Sequence, residues 1–121
     1  MTSLRFRKED RLTRPADFRR VFDCRCSVSN AWLIVYGVAN ELDRCRIGLS
    51  VSRKVGSAVL RNRLRRLYRE AFRLSRAELP IGLDLVLIPR TSAEPPLADL
   101  RQSLPTLVHS LARRLARKEK A

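Results

Sequence analysis

Between Ser52 and Arg73 the chain sets eight basic residues against a single acid, Glu70. Cations packed this closely along a backbone neutralise phosphates and release condensed counterions, and arginine adds a planar fork that grips two phosphate oxygens at once. Wound as a helix at about 100° per residue, Asn62, Arg65, Arg66, Arg69 and Arg73 fall within roughly a 100° arc. Arg61 and Arg63 flank that arc, and Leu60, Leu64, Leu67, Ala71 and Leu74 form an apolar stripe opposite. A merely solvated face would mix signs to gain i,i+4 pairs. Here Arg65 neighbours Arg69, Arg69 neighbours Arg73, and Glu70 relieves only part of the repulsion, through Arg66 or Arg73. A polyanion would relieve the rest. The preceding turn, Arg53-Lys54-Val55-Gly56-Ser57, puts two cations beside a glycine at a helix N-terminus, where anions are favoured.

No comparable set of residues supports catalysis by the chain. His109 is the only histidine and lies on a late helix with no evident carboxylate or thiol partner. Glu9 and Asp10 in a mobile arm make a poor metal cage. Cys24, Cys26 and Cys45 are odd in number and lack metal-site spacing, so they read as free thiols in a reducing compartment. Phe18 and Phe22 share a helix face and could stack single-stranded bases. Taken alone they read as core, Tyr36 as a sheet residue, and Trp32 and Tyr68 as packing residues.

The elements that must hold these residues fit one domain over 1–121. The chain has 121 residues, 45% hydrophobic, with a formal charge of +14 and a pI near 11.4. Such a charge on so small a chain points to a polyanionic partner. Residues 1–12 read as a basic arm and 116–121 as a basic tail whose composition suits disorder. Thr13 is placed to cap a first helix carrying Phe18, Val21 and Phe22. Ala31–Val38 and Cys45–Ser52 read as strands, with a further strand near 26–30 left open. Ala58–Leu74 is the strongest helix, Leu83–Ile88 a strand, and Leu104 to Leu115 a last helix that either starts near Ser103 or kinks at Pro105. The order α-β-β-(β)-α-β-α predicts an α+β sandwich. Met1–Arg14 has no apolar signal core and no run reaches a membrane span, so a cytoplasmic protein without membrane contact is expected.

Lys54-x-Gly56-x-Ala58-Val59-x-Arg61-Asn62-Arg63-x-Arg65-Arg66-x-x-Arg69 resembles the arginine-rich signature of the ribonuclease P protein family. Asp17-Phe18-x-x-Val21-Phe22, the Tyr36 strand and Arg46-Ile47-Gly48-Leu49-Ser50-Val51-Ser52 extend the resemblance over roughly residues 11 to 90. It implies a fold like that of ribosomal protein S5 domain 2, with a left-handed βαβ crossover. It also implies a cofactor protein for an RNA enzyme that removes the 5′ leader of precursor tRNA. Catalysis and the magnesium ions would belong to the RNA. By position, Arg53, Lys54, Arg61, Asn62, Arg65, Arg66 and Arg69 would meet ribonuclease P RNA, and Phe18, Phe22 and Tyr36 would line a cleft for the leader. Two other readings compete: a structural RNA-binding module, which the long signature disfavours, and a protein nuclease, which the missing catalytic set disfavours.

Overall fold

The computed structural model describes residues 8–90 and 93–120. Helix α1 (Pro15–Asp23) is followed by strands β1 (Ser27–Ser29), β2 (Leu33–Ala39) and β3 (Arg46–Leu49), helix α2 (Ala58–Ser75), strand β4 (Leu83–Pro89) and helix α3 (Leu97–Lys120). The short strand left open in the sequence is β1. The four strands form one mixed sheet in the order β1-β2-β4-β3. Neighbouring strands run antiparallel except β3 and β4, which are parallel and therefore need the long crossover that α2 supplies.

Strand β4 lies inside the sheet and is covered on both faces, which is why it reads as a nearly unbroken apolar run. Leu85 and Leu87 pack with Leu33, Val35 and Ile47 against Leu64, Tyr68 and Phe72 of α2 and Leu104, Val108 and Leu111 of α3. The opposite face carries Val86 and Ile88, and there α1 packs with Leu12, Val21, Phe18 and Phe22. One short helix leaves Phe18, Phe22, Tyr36, Val38 and Ile88 only half-buried.

Asp84, on the α1 side of β4, is fully buried. Its Oδ1 accepts from Arg46 Nε at 2.8 Å and Asn40 Nδ2 at 2.9 Å. Its Oδ2 accepts from Arg46 Nη2 at 2.7 Å and from Arg20 Nη2 of α1. Arg46 is held above the usual arginine range, first by its hydrogen bond to Asp84. Three elements therefore converge on one carboxylate.

Several expectations shift by identifiable causes. Helix α1 is preceded by Arg14, not capped by Thr13, because Pro15 occupies its first turn and needs no donor partner. The end of the predicted arm is docked. Arg11 bridges to Ile47 on the β3 edge, Leu12 N donates to Ile47 O at 2.8 Å, and buried Asp10 pairs with Arg76 at 2.5 Å. Residues 1–7 of that arm lie outside the described residues. Residues 116–120 of the predicted tail continue α3. On α2 the buried face is Leu64, Tyr68, Ala71, Phe72 and Ser75, rotated from the leucine stripe, so that Leu74 is only half-buried. Tyr68 O–H donates to Trp32 O at 3.3 Å, and burial pushes the phenol up to about 12.

Pro105 lies well inside α3 instead of starting it. Proline offers no N–H to the carbonyl four residues earlier. That carbonyl belongs to Arg101, and the buried Ser75 hydroxyl of α2 donates to it at 3.3 Å.

Two stability measurements check these arrangements. By urea unfolding, Asp84→Ala should cost about 3–5 kcal/mol, since it strands partly buried guanidinium groups; a loss below about 1 kcal/mol would contradict the anchoring role. Ser75→Ala should cost about 1–3 kcal/mol in the native background and clearly less beside Pro105→Ala, where a new N–H reaches the Arg101 carbonyl. Equal losses in both backgrounds would sink the compensation.

Candidate nucleic-acid interface

Two successive side-chain caps shape the turn before α2. Ser52 Oγ accepts from Lys54 N at 3.1 Å and Ser57 Oγ from Leu60 N at 3.2 Å. Between them Gly56 adopts φ 156° and ψ −159°, and a Cβ there would stand 2.7 Å from Leu60 Cδ2. Only glycine fits that backbone. The result is a tight turn with Arg53 and Lys54 exposed beside the N-terminus of α2.

Along α2, Asn62 and Arg66 are exposed and Arg65 and Arg69 half-buried. Arg65 Nη1 donates to Asn62 Oδ1 at 2.8 Å, which fixes the guanidinium without neutralising it. Burial lowers the Arg69 pKa, helped by the charges of Arg11 and Arg65, yet an arginine remains cationic at any physiological pH. Arg61 stands on the flank, half-buried, with its Nε shut off from solvent. The outer flanks are balanced: Arg63 pairs with Glu94 at 2.9 Å, and Arg73 takes Glu70 through Nη2 at 2.5 Å and Nε at 3.0 Å. Hydrogen bonding to Arg73 holds the Glu70 carboxyl below its usual range. Arg73 thus leaves the acid-free face that its spacing suggested, and Asn62, Arg65, Arg66 and Arg69 remain.

Phe18, Phe22 and Tyr36 come together on the α1 side of the sheet. Phe22 and Tyr36 meet edge to face, with centroids 5.1 Å apart and planes at 73°. Phe18 lies over Gly48 of β3, where a Cβ would approach its Cζ to 2.5 Å. The three rings are neither fully core nor free platforms: each packs on one side and is open on the other. The cationic and aromatic surfaces adjoin at the β3 edge, where Arg11, Thr13, Gly48, Leu49 and Arg69 line one small recess.

Sequence reasoning passed over Asp84 with Asn40, Arg46 and Arg20. The available signal was a lone carboxylate inside an apolar strand, which has to be paired. Arg11 was read only as part of an arm. Among the described residues, no three histidine, cysteine or acidic side chains gather as a metal site. His109 is exposed, with Nε2 2.8 Å from Glu78 O, and the three thiols are free. No helix among the described residues is long and apolar enough to cross a membrane.

Known proteins resemble this chain over most of its length. The family model described as Ribonuclease P matches residues 6–112. The ribonuclease P protein component of Clostridioides difficile is 40% identical over 105 residues, covering 85% of this chain and 92% of the relative. That of Methylococcus capsulatus is 45% identical over 89 residues, covering 73% of this chain and 69% of the relative. Among solved structures, the ribonuclease P protein of Thermotoga maritima superposes with a TM-score of 0.74 at 34% identity, covering 81% of this chain and 94% of that one. The Staphylococcus aureus protein gives 0.71 at 33% identity, covering 83% and 93%. A family match across nearly the whole chain, with the same small α+β domain, settles membership: the chain belongs to the ribonuclease P protein family, the protein component of an endoribonuclease whose partner is an RNA.

Proposed function

We propose that this chain binds ribonuclease P RNA through Arg53, Lys54 and the outer face of α2, and holds the 5′ leader of precursor tRNA against Phe18, Phe22 and Tyr36. The supporting observation is the continuity of the two surfaces. An acid-free cationic face on α2 runs through Arg69 and Arg11 to the aromatic cleft at the β3 edge. Arginines on such a face meet phosphates without reading sequence, and half-open rings stack bases of any identity. A leader cleft of this kind serves many precursors. Arg61 contributes from the flank.

In this reading the chemistry stays with the RNA. Among the described residues no three histidine, cysteine or acidic side chains gather as a metal site. The protein contributes charge neutralisation and position, both of which act on the barrier by holding substrate in register. Its free thiols suit the reducing cytoplasm, where we place it.

Reconstitution separates the alternatives. Protein mixed with a bacterial ribonuclease P RNA and precursor tRNA at low magnesium should stimulate cleavage that depends on the RNA. Cleavage by protein alone would make it a nuclease, and tight binding without stimulation a structural module. Contact with about five phosphates gives a slope of log affinity against log salt of roughly −3.5 to −4.5. A flat dependence would remove the electrostatic account. Phe18→Ala should weaken leader-bearing substrate more than mature tRNA, whereas equal losses would return that ring to the core.

A further inference from the structure

A second cationic surface lies at the other edge of the sheet from α2. Residues 113–118 of α3 carry Arg113, Arg114, Arg117 and Lys118 with no acid among them, and all four are exposed. Arg113 and Arg117, like Arg114 and Lys118, are i,i+4 neighbours of like charge, a destabilising arrangement on a helix with no partner. Arg114 Nη1 donates to Ser27 O of β1 at 3.0 Å, and Lys118 Nζ donates to Cys24 O in the turn after α1. Both acceptors are neutral carbonyls. They fix the cations in place without cancelling their charge. Exposed Arg25 joins them on that turn, with Asp23 offsetting one charge.

The turn is also where the aromatic cleft ends. Phe18 sits over β3, and Phe22 meets Tyr36 of β2, so α1 carries its rings across the sheet toward β1. Ser27, whose carbonyl holds Arg114, is the register partner of Tyr36. The sheet order separates β3 from β1 by three strand spacings, about 14 Å. A strand entering beside Arg11 and Arg69 and crossing the rings therefore leaves over Cys24, Arg25 and Ser27, beside the end of α3.

We infer that Arg25, Arg114, Arg117 and Lys118 form a distal track for the 5′ leader, taking the phosphates of nucleotides that emerge from the cleft past Tyr36. This rests on the reading of the cleft as the leader site. The ligand is single-stranded RNA backbone, bound by charge and without base selection, so leader length and not leader sequence governs the contribution.

The test uses the holoenzyme reconstituted with full-length protein and compares three precursors: one with no leader, one whose leader ends within the cleft, and one several nucleotides longer. The variant Arg114→Gln/Arg117→Gln/Lys118→Gln removes the charge while glutamine can still donate to the Ser27 and Cys24 carbonyls. It should bind the long-leader precursor about tenfold more weakly and the short-leader precursor unchanged. The salt slope for the long leader should become shallower by roughly 2, from three lost phosphate contacts. Equal losses on all three precursors would assign the patch to ribonuclease P RNA and overturn the track, as would no loss at all. In the unsubstituted protein, the step from no leader to short leader reports the cleft, and the step from short to long reports the track. Failure of the first overturns both readings; failure of the second overturns only the track. Should the triple variant melt early, Arg117→Gln alone, which removes neither carbonyl bond, should still cost about twofold on the long leader.

Discussion

The carboxylate of Asp84 is the point on which the working face of this protein turns. Burying an ion costs several kcal/mol unless its lone pairs are filled, and Arg46, Asn40 and Arg20 fill them. Strand β4 supplies the acid, β3 one arginine, and α1 the other. The position of α1 across the sheet follows, and with it the seating of Phe18 over Gly48 and of Phe22 against Tyr36. The same charge reaches Cys45 next door. Burial, reinforced by Asp84, pushes that thiol up to about 12, so it stays neutral and inert.

A chain of net charge +14 folds by spending its few acids where they matter. Asp10 and Asp84 are buried, each against arginine, and they tie the docked arm and α1 to the body. Glu70 and Glu94 quiet the flanks of α2 at Arg73 and Arg63. Among the described residues no acid is placed against Arg65, Arg66 or Arg69, and the bond from Arg65 to Asn62 positions charge without cancelling it. Repulsion left standing in the free protein becomes affinity once phosphates arrive. Fold and proposed function thus use arginine in opposite ways: paired arginines hold the structure, and those without an acid among the described residues form the proposed binding face.

Much of this was legible before any coordinates. The period of two in β3 and the helical spacing of α2 come from burial of one face, which a single chain displays directly. The basic arc survived except at Arg73, because spacing alone could not choose between Arg66 and Arg73 as the partner of Glu70. The leucine stripe misjudged the core face of α2, since Tyr68, Phe72 and Ser75 are drawn inward by α3 and the sheet, a tertiary matter. Pro105 suggested either a helix start or a kink because its remedy, the Ser75 hydroxyl, lies 30 residues away on another helix. Phe18 and Phe22 read from spacing alone as core, and only the family resemblance made them a platform. They are both, because α1 is too short to cover the face it packs on.

In the proposed function, labour is divided between two faces of one small domain: α2 for ribonuclease P RNA, and the α1 cleft for the leader. Site-specific photo-crosslinking addresses that division most directly. A benzophenone side chain replacing Phe22 in the holoenzyme should attach to the leader of precursor tRNA, and one replacing exposed Asn62 should attach to ribonuclease P RNA. Attachment of both positions to the same RNA, or the reverse assignment, would contradict it.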